Sequence, residues 1–200
     1  MDDLPPRVLF IAREPLLAGG EEAYHEIEEE TARLCASLGC PHPYLALESL
    51  CGPKEIWWLN GFDSNEELKQ VGEAYEKNEP VAALLGRNRE RKAPLTGKVT
   101  EVVAQYRPDL TGGAPWILGL GRFLVIAVSR DRPSGSGTVF QGADGTWFVL
   151  SPASSREQAD SLAAATPDTS AVVVRPSLSF PARNWVEADP GFWRASGGAG

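Results

Sequence analysis

The residues that most often carry chemistry are scarce in this sequence. Two hundred residues contain two histidines, three cysteines and one methionine. So few cysteines, and an odd number, exclude a disulfide framework and fit a reducing compartment. No apolar run is long enough to cross a bilayer. The opening MDDLPPRVLF lacks the basic start, apolar core and small-residue cleavage site of a signal peptide. Basic residues are outnumbered, 19 Lys and Arg against 27 Asp and Glu, for a formal charge of −8. That balance argues against a nucleic-acid or anionic-membrane partner, either of which needs a basic surface. A cytoplasmic protein is expected.

Several catalytic signatures are missing as well. No Gly-x-Ser-x-Gly elbow occurs, so a serine hydrolase lacks its mark. The GLG at 119–121 and the GSG at 135–137 lack the third glycine and the strand-then-helix setting of a dinucleotide loop. Cys35, Cys40, His42 and Cys51 lie within seventeen residues. Their spacing, C-x4-C-x-H-x8-C, lacks the close cysteine pair of a structural zinc knuckle. No metal and no cofactor are expected. The one basic cluster, Gly86 to Lys92, reads as a helix end whose cations complement the helix dipole.

What is present is an internal echo. KEIWWLNGFDSNEEL (54–68) returns as GTWFVLSPASSREQA (145–159), and an overlay at an offset of ninety puts Trp57 on Trp147, Ser64 on Ser154 and Glu67 on Glu157. In the first half, 7–16 reads as a strand and 21–39 as a helix with Ala23, Ile27, Thr31, Leu34 and Leu38 on one face. Two strands follow, 44–50 and 55–62, joined through CGPK. Ser64 and Glu67 form a capping box that opens a second helical stretch, broken near Pro80 and running to about residue 91. A strand over 98–106 closes a β-α-β-β-α-β unit, the ferredoxin-like order.

The second half repeats this order without its first helix. RFLVIA (122–127) echoes RVLFIA (7–12), TVFQG and TWFVL flank an ADG turn, a short helix follows the second cap, and 170–178 is the last strand. The fold class expected is α+β: two tandem ferredoxin-like repeats, the second lacking its first helix, packed as an α/β barrel. The boundaries are 7–106 for the first repeat, 107–121 for a Gly- and Pro-rich linker, 122–180 for the degenerate second repeat and 181–200 for an aromatic tail. A sheet with helices on one face leaves its other face to be covered, and two such sheets can cover each other. Fusion makes that pairing intramolecular.

The segment WWLNGFDSNEELKQVGEAYEKNEPVAALL, together with the strand order, resembles the dimeric α/β-barrel superfamily, in particular its NIPSNAP-like and antibiotic-biosynthesis-monooxygenase-like groups. The resemblance covers 7–106 well and the second half in outline. It implies two units forming one barrel, here within a single chain. The oxygenase-like members often carry a histidine in the second helix, and LKQVGEAYEK has none.

The candidate residues are few. Trp58, Asn60 and Phe62 share one face of their strand, taken to be the barrel interior, where an amide between aromatics suits an orienting group in a small-molecule pocket. The other reading of Asn60-Gly61 is a turn into the helix cap. His25 opens HEIEEE, but position 29 is Glu, so the zincin pattern fails. It reads as part of an acidic solvated helix face that includes Glu22, Glu28 and Glu29, and also as a candidate base. His42, between two prolines, reads as positioned by its turn. Tyr106 and Arg107 close the first unit at a barrel mouth.

The function expected is a small-molecule-binding protein that holds an apolar or aromatic ligand between its two sheets, with Trp58, Asn60, Phe62 and His25 as ligand-binding residues. Two alternatives stand beside it: a cofactor-independent oxygenase or isomerase in the same cavity, and a self-associating structural module with a filled barrel. The sheet face left bare by the missing helix is expected to be covered by the tail, Trp185 to Trp193, or by a second copy in a homo-oligomer.

Overall fold

A computed structural model describes residues 5–112, 121–133, 137–166 and 168–194. The strands are β1 (Val8–Pro15), β2 (Leu45–Ser49), β3 (Glu55–Phe62), β4 (Thr100–Tyr106), β5 (Phe123–Ser129), β6 (Thr138–Gly142), β7 (Trp147–Ala153) and β8 (Thr169–Val174). They close into an antiparallel barrel in the order β1-β3-β2-β8-β5-β7-β6-β4. Six helices are found among the described residues: α1 (Glu21–Leu38), α2 (Asn65–Lys77), α3 (Glu79–Lys92), α4 (Arg156–Ala164), α5 (Arg183–Ala188) and α6 (Pro190–Arg194). None is long and apolar enough to cross a membrane. The linker expected over 107–121 is described only at 107–112 and 121, and the end of the tail, 195–200, lies outside the described residues.

Period-two alternation decides which side chains fill the barrel. Leu9, Ile11, Leu45, Leu47, Trp57, Leu59, Leu124, Ile126, Phe140, Phe148, Leu150, Val172 and Val174 form one buried cluster drawn from both halves. The space between the half-sheets is therefore packed solid, which corrects the expected location of a ligand. Burial of a leucine- or phenylalanine-sized side chain contributes about 1.5–3 kcal/mol, so this interior is the main source of stability. Arg13, whose guanidinium lies 5.0 Å from the Trp57 ring centre, pairs with Glu55 at one end of the barrel.

The aromatic tail closes the opposite end. Trp193 joins the interior cluster, with Trp185, Val186 and Phe192 packed against it. Arg122, just before β5, anchors the tail by an ion pair to Asp189 at 2.9 Å and by its position over the Phe192 ring. The tail thus stoppers the barrel rather than covering the outer face of β5, β7 and β8. On that face α4 packs Ala159 against Val125 and Ala171, and Arg107 lies over Trp147.

The helix ends follow local chemistry. Ser64 Oγ accepts from the Glu67 amide, and the Glu67 carboxylate accepts from the Asp63 amide. The matching cap on α4 belongs to Ser155, whose Oγ accepts from the Gln158 amide, while Gln158 Oε1 accepts from Ser154. The expected Ser154–Glu157 pair is thus displaced by one residue. The strand registers agree with that shift. Val8 stands opposite Phe62 and Phe123 opposite Ala153, so an overlay of the two hairpins by register sets Trp57 on Phe148 rather than on Trp147. A one-residue slip moves a whole strand to its other face. Trp57 and Phe148 do share the interior.

Gly39, left-handed at φ 70°, ends α1 as expected. The buried stripe of α1 is Tyr24, Ile27, Glu28, Thr31 and Cys35, rotated from the expected face, and Ala23 is exposed. Glu28, expected in solvent, is buried. The break expected near Pro80 falls at Asn78, whose Oδ1 caps α3 at Val81 and whose Nδ2 donates to Leu38 O at the end of α1.

Candidate functional site

Antiparallel pairing of β1 with β3 sets Phe10 beside Asn60 and Ala12 beside Trp58 on the outer face of the barrel. Helices α1, α2 and α3 arch over that face and leave a cavity of about 840 Å³, within the usual range of small-molecule sites, ~300–1,000 Å³. Its floor is Phe10, Ala12, Glu14, Trp58, Asn60 and Phe62. Its roof comes from Glu28, Thr31 and Cys35 of α1, Leu85, Asn88 and Lys92 of α3, and Leu68, Val71 and Tyr75 of α2. The last three recur at helical spacing and form an apolar stripe. Yet α2 has no buried residue. Leu68 and Val71 face the cavity, while Tyr75 also packs against the Cys35, Cys40 and Val81 cluster and donates to His42 O at 3.2 Å.

One end of the cavity is charged and enclosed. Lys92 Nζ lies 2.5 Å from Glu28 Oε1 and 3.3 Å from Glu14 Oε1. The Tyr24 hydroxyl donates to Glu14 Oε2. Lys92 also sits 5.3 Å from the Tyr24 ring centre and 5.8 Å from that of Trp58, a cation–π arrangement. Burial pushes the Glu28 carboxyl above its ordinary range, against the pull of Lys92. Burial pulls Lys92 down, but the charges and hydrogen bonds of Glu28 and Glu14 outweigh it and leave the ammonium above its usual value. Burial, reinforced by the Glu28 and Glu14 charges, raises Tyr24 far out of reach of titration. Lys92 therefore stays a cation, and its acidic neighbours compete for it.

The other end is aromatic and thiol-bearing. Tyr44 donates to Cys35 Sγ at 3.8 Å. A hydrogen bond from Cys40 holds the Cys35 thiol below its usual range. Burial, together with the nearby cysteine and Glu28 charges, raises Tyr44. His42 stacks on Phe62 with ring centres 4.3 Å apart, and its Nε2 meets Gly61 O at 2.9 Å. Burial lowers its proton affinity.

The roof is tied together by polar contacts between α1 and α3. Asn88 donates to Thr31 Oγ1 at 2.7 Å, and Arg91 reaches both Asn88 Oδ1 and Glu30. The basic run at the end of α3 thus does more than complement the helix dipole.

Trp58, Asn60 and Phe62 are brought together as expected, on the outer face under the helices rather than in the barrel interior. That location corrects the earlier one. Both faces of β3 are covered, so its composition alone does not distinguish them. Asn60 belongs to the strand and donates to Pro43 O at 3.4 Å, so it is no turn residue. His25 does not line the cavity. It lies 3.8 Å from Glu48, which is held by Arg175 at 2.6 Å.

Tyr106 packs on Phe140 and Arg107 binds Asp109 and Gln141, away from the cavity. The cysteine group does not converge: Cys35 and Cys40 are buried together, whereas Cys51 is exposed. Among the described residues no three His, Cys, Asp or Glu side chains stand where they could hold a metal ion.

The sequence reading missed Glu14, Glu28 and Lys92. The available signal was the spacing of Tyr24, Glu28, Thr31 and Cys35, which places a carboxylate in the middle of a buried helical stripe.

Comparison with known proteins shows the fold. No family model and no curated protein matches the chain. A solved structure from Fusobacterium nucleatum, which carries the provisional name of a monooxygenase, is similar over 87% of this chain and 94% of its own, at 10% identity and a TM-score of 0.51. A second, from Lactobacillus acidophilus and provisionally named in the same way, is similar over 84% of this chain and 94% of its own, at 7% identity and a TM-score of 0.50.

Proposed function

We propose that the chain binds a small, largely aromatic molecule in the cavity between helices α1–α3 and the outer face of β1 and β3, with Trp58, Asn60 and Phe62 as its floor. The observation that carries this reading is α2. An amphipathic helix normally gains its stability by burying its apolar stripe, and here Leu68 and Val71 of that stripe line the cavity and α2 has no fully buried residue. The two strand orders, β4-β1-β3-β2 and β8-β5-β7-β6, support reading the chain as two ferredoxin-like repeats, 7–106 and 122–180. On that reading only the first repeat keeps the helix needed to roof such a space.

A second reading, supported by the names of the two structural neighbours, makes this same cavity the seat of a cofactor-independent oxygenase acting on an electron-rich arene. A small isomerase would use the same enclosed acid and cation. For the oxygenase, the polar end would hold the reacting substituent, and the aromatic floor would hold the ring.

The test is equilibrium binding of compact aromatic probes, followed by thermal unfolding and Trp fluorescence, on the intact protein and on Val71→Trp. A ligand present at ~100 times its Kd stabilises a protein by about 2.7 kcal/mol. Binding that Val71→Trp abolishes without lowering stability supports the reading. Binding that Val71→Trp leaves intact places the ligand elsewhere and contradicts it. Oxygen uptake with dihydroxynaphthalenes then separates binding from turnover.

A further inference from the structure

We propose that Cys35 and Cys40 form a modification site: a small hydroperoxide entering the cavity oxidises Cys35, and Cys40 then closes a reversible disulfide with it. The inference goes beyond the ligand-binding reading and shares with it only the cavity, here as a route of entry.

The pairing follows from the way α1 ends. Gly39 turns the chain left-handed, and its amide donates to Cys35 O. The Cys40 amide donates to the same oxygen at 3.0 Å. This return is the Schellman ending of a helix, in which the side chains at its two ends commonly touch. Here both of those side chains are cysteines. They are buried in one cluster with Val81 of α3, Cys35 at 1% exposure and Cys40 at 9%. A disulfide needs its β-carbons about 3.5–4.5 Å apart, and a contact across this turn is the arrangement from which one forms.

Access sets this pair apart from ordinary core cysteines, which behave as small hydrophobes. Cys35 lines the cavity, and Arg89, Val99 and Glu101 at its rim are exposed. A hydroperoxide is small enough to reach the sulfur from that side. Cys40 is not among the lining residues, so it acts second.

The hydrogen bonds give the same order. Cys40 donates to the Cys35 thiol and the Tyr44 hydroxyl does so at 3.8 Å, which holds Cys35 below its usual range against burial and the Glu28 charge. The same bond, reinforced by burial, raises Cys40, which keeps its proton. The thiolate is the nucleophile, so the first attack belongs to Cys35.

The steps balance. The Cys35 sulfur attacks one oxygen of hydrogen peroxide: an S–O bond forms, the O–O bond breaks, and the departing hydroxide takes the thiol proton to become water. The product is a sulfenic acid. The Cys40 sulfur then attacks Cys35: an S–S bond forms, the S–O bond breaks, and the hydroxyl leaves as water with the Cys40 proton. The two sulfurs together lose two electrons, and one peroxide is reduced to two waters. A dithiol reductant reverses the bond by exchange. A transient bond of this kind is compatible with a reducing compartment, in which a permanent disulfide is not expected.

The experiment uses the full chain carrying Cys51→Ser, which removes the exposed cysteine. Folded protein is treated with hydrogen peroxide, quenched with catalase and unfolded, and its free thiols are alkylated before intact and peptide masses are read. The expected result is loss of both thiols, a mass lower by two hydrogens, and a peptide carrying the Cys35–Cys40 bond. Dithiothreitol should restore both thiols. With Cys40→Ser added, Cys35 should stop at the sulfenic acid and take up dimedone. With Cys35→Ser added instead, Cys40 should stay an alkylatable thiol.

Thiols that remain alkylatable after peroxide, a bond formed between chains, or oxidation of Cys35 past the sulfenic acid without a disulfide would overturn the proposal. Dimedone on Cys40 in the Cys35→Ser protein, with none on Cys35 in the Cys40→Ser protein, would overturn the order of attack.

Discussion

The two halves of the barrel present similar hairpins to a shared core and very different surfaces to the outside. Leu59 faces inward from β3 and Leu150 from β7, each in a full antiparallel register with its neighbour. On the outer face of the first half, α1, α2 and α3 arch over β1 and β3 and leave a cavity of about 840 Å³. On the second, α4 sets Ala159, fully buried, directly on Val125 and Ala171. Small side chains bring that helix into direct contact with the sheet. The barrel is a scaffold built from both halves, and the site lies on whichever half keeps its roof away from its floor.

The largest effect that sharpens this comparison concerns buried charge. Lys92→Met leaves Glu14 and Glu28 without their cation, and loss of one partner of a buried ion pair costs about 3–5 kcal/mol. Among the described residues no buried ion pair of this kind lies under α4. Removing Arg156, whose exposed pair with Asp160 spans 3.5 Å, should change stability by no more than ~0.5 kcal/mol. Urea unfolding midpoints of the two variants measure the contrast, and equal losses would erase it.

Packing gives the next effect. Ala159→Leu forces three carbons into a closed contact and should destabilise by about 1–3 kcal/mol. Val71→Leu, on the cavity roof, should stay within ~0.5 kcal/mol of the parent. If the two variants cost the same in a thermal melt, α2 is packed as tightly as α4 and the cavity is absent.

The caps should behave alike in the two halves. Ser64→Ala and Ser155→Ala each remove an acceptor for an N3 amide, at about 1 kcal/mol apiece. Ser154→Ala leaves that acceptor in place and should cost less than Ser155→Ala. The reverse order would restore the cap pairing at an offset of ninety.

The smallest effect is a pH trend confined to the first half. Glu28 has its carboxyl pKa raised on folding. Above the ordinary glutamate range the native state therefore binds more protons at this site than the unfolded chain does. Its contribution is full at acid pH and is lost as pH rises through the raised value. The stability of Glu28→Gln relative to the parent should accordingly improve from mildly acidic to neutral pH. A difference that stays flat, or runs the other way, contradicts the assigned direction.

Local features were the legible ones. The cap at Ser64, the glycine stop at Gly39 and the alternation of Ile56, Trp58, Asn60 and Phe62 each depend on residues a few positions apart. The inside and the outside of the barrel did not follow from that alternation, because both faces of β3 meet other side chains. Glu28 looked solvated in the run HEIEEE, since its partner Lys92 lies on another helix far along the chain. His25 is a candidate by residue type alone, and it stands beside Glu48, outside the cavity. The ninety-residue overlay sets Trp57 on Trp147, whereas an overlay by strand register sets Trp57 on Phe148. Matching large side chains are weaker evidence of equivalence than matching caps and pairings.

The claim that the first half holds a ligand cavity is tested most directly by a crystal structure of the protein soaked with 4-nitroanisole. The account predicts density for the ring over Trp58 and Phe62, beneath Leu68 and Val71, with the barrel interior unchanged. Collapse of α2 onto β3 with no probe between them, or a probe lodged only on the outer surface, would contradict it.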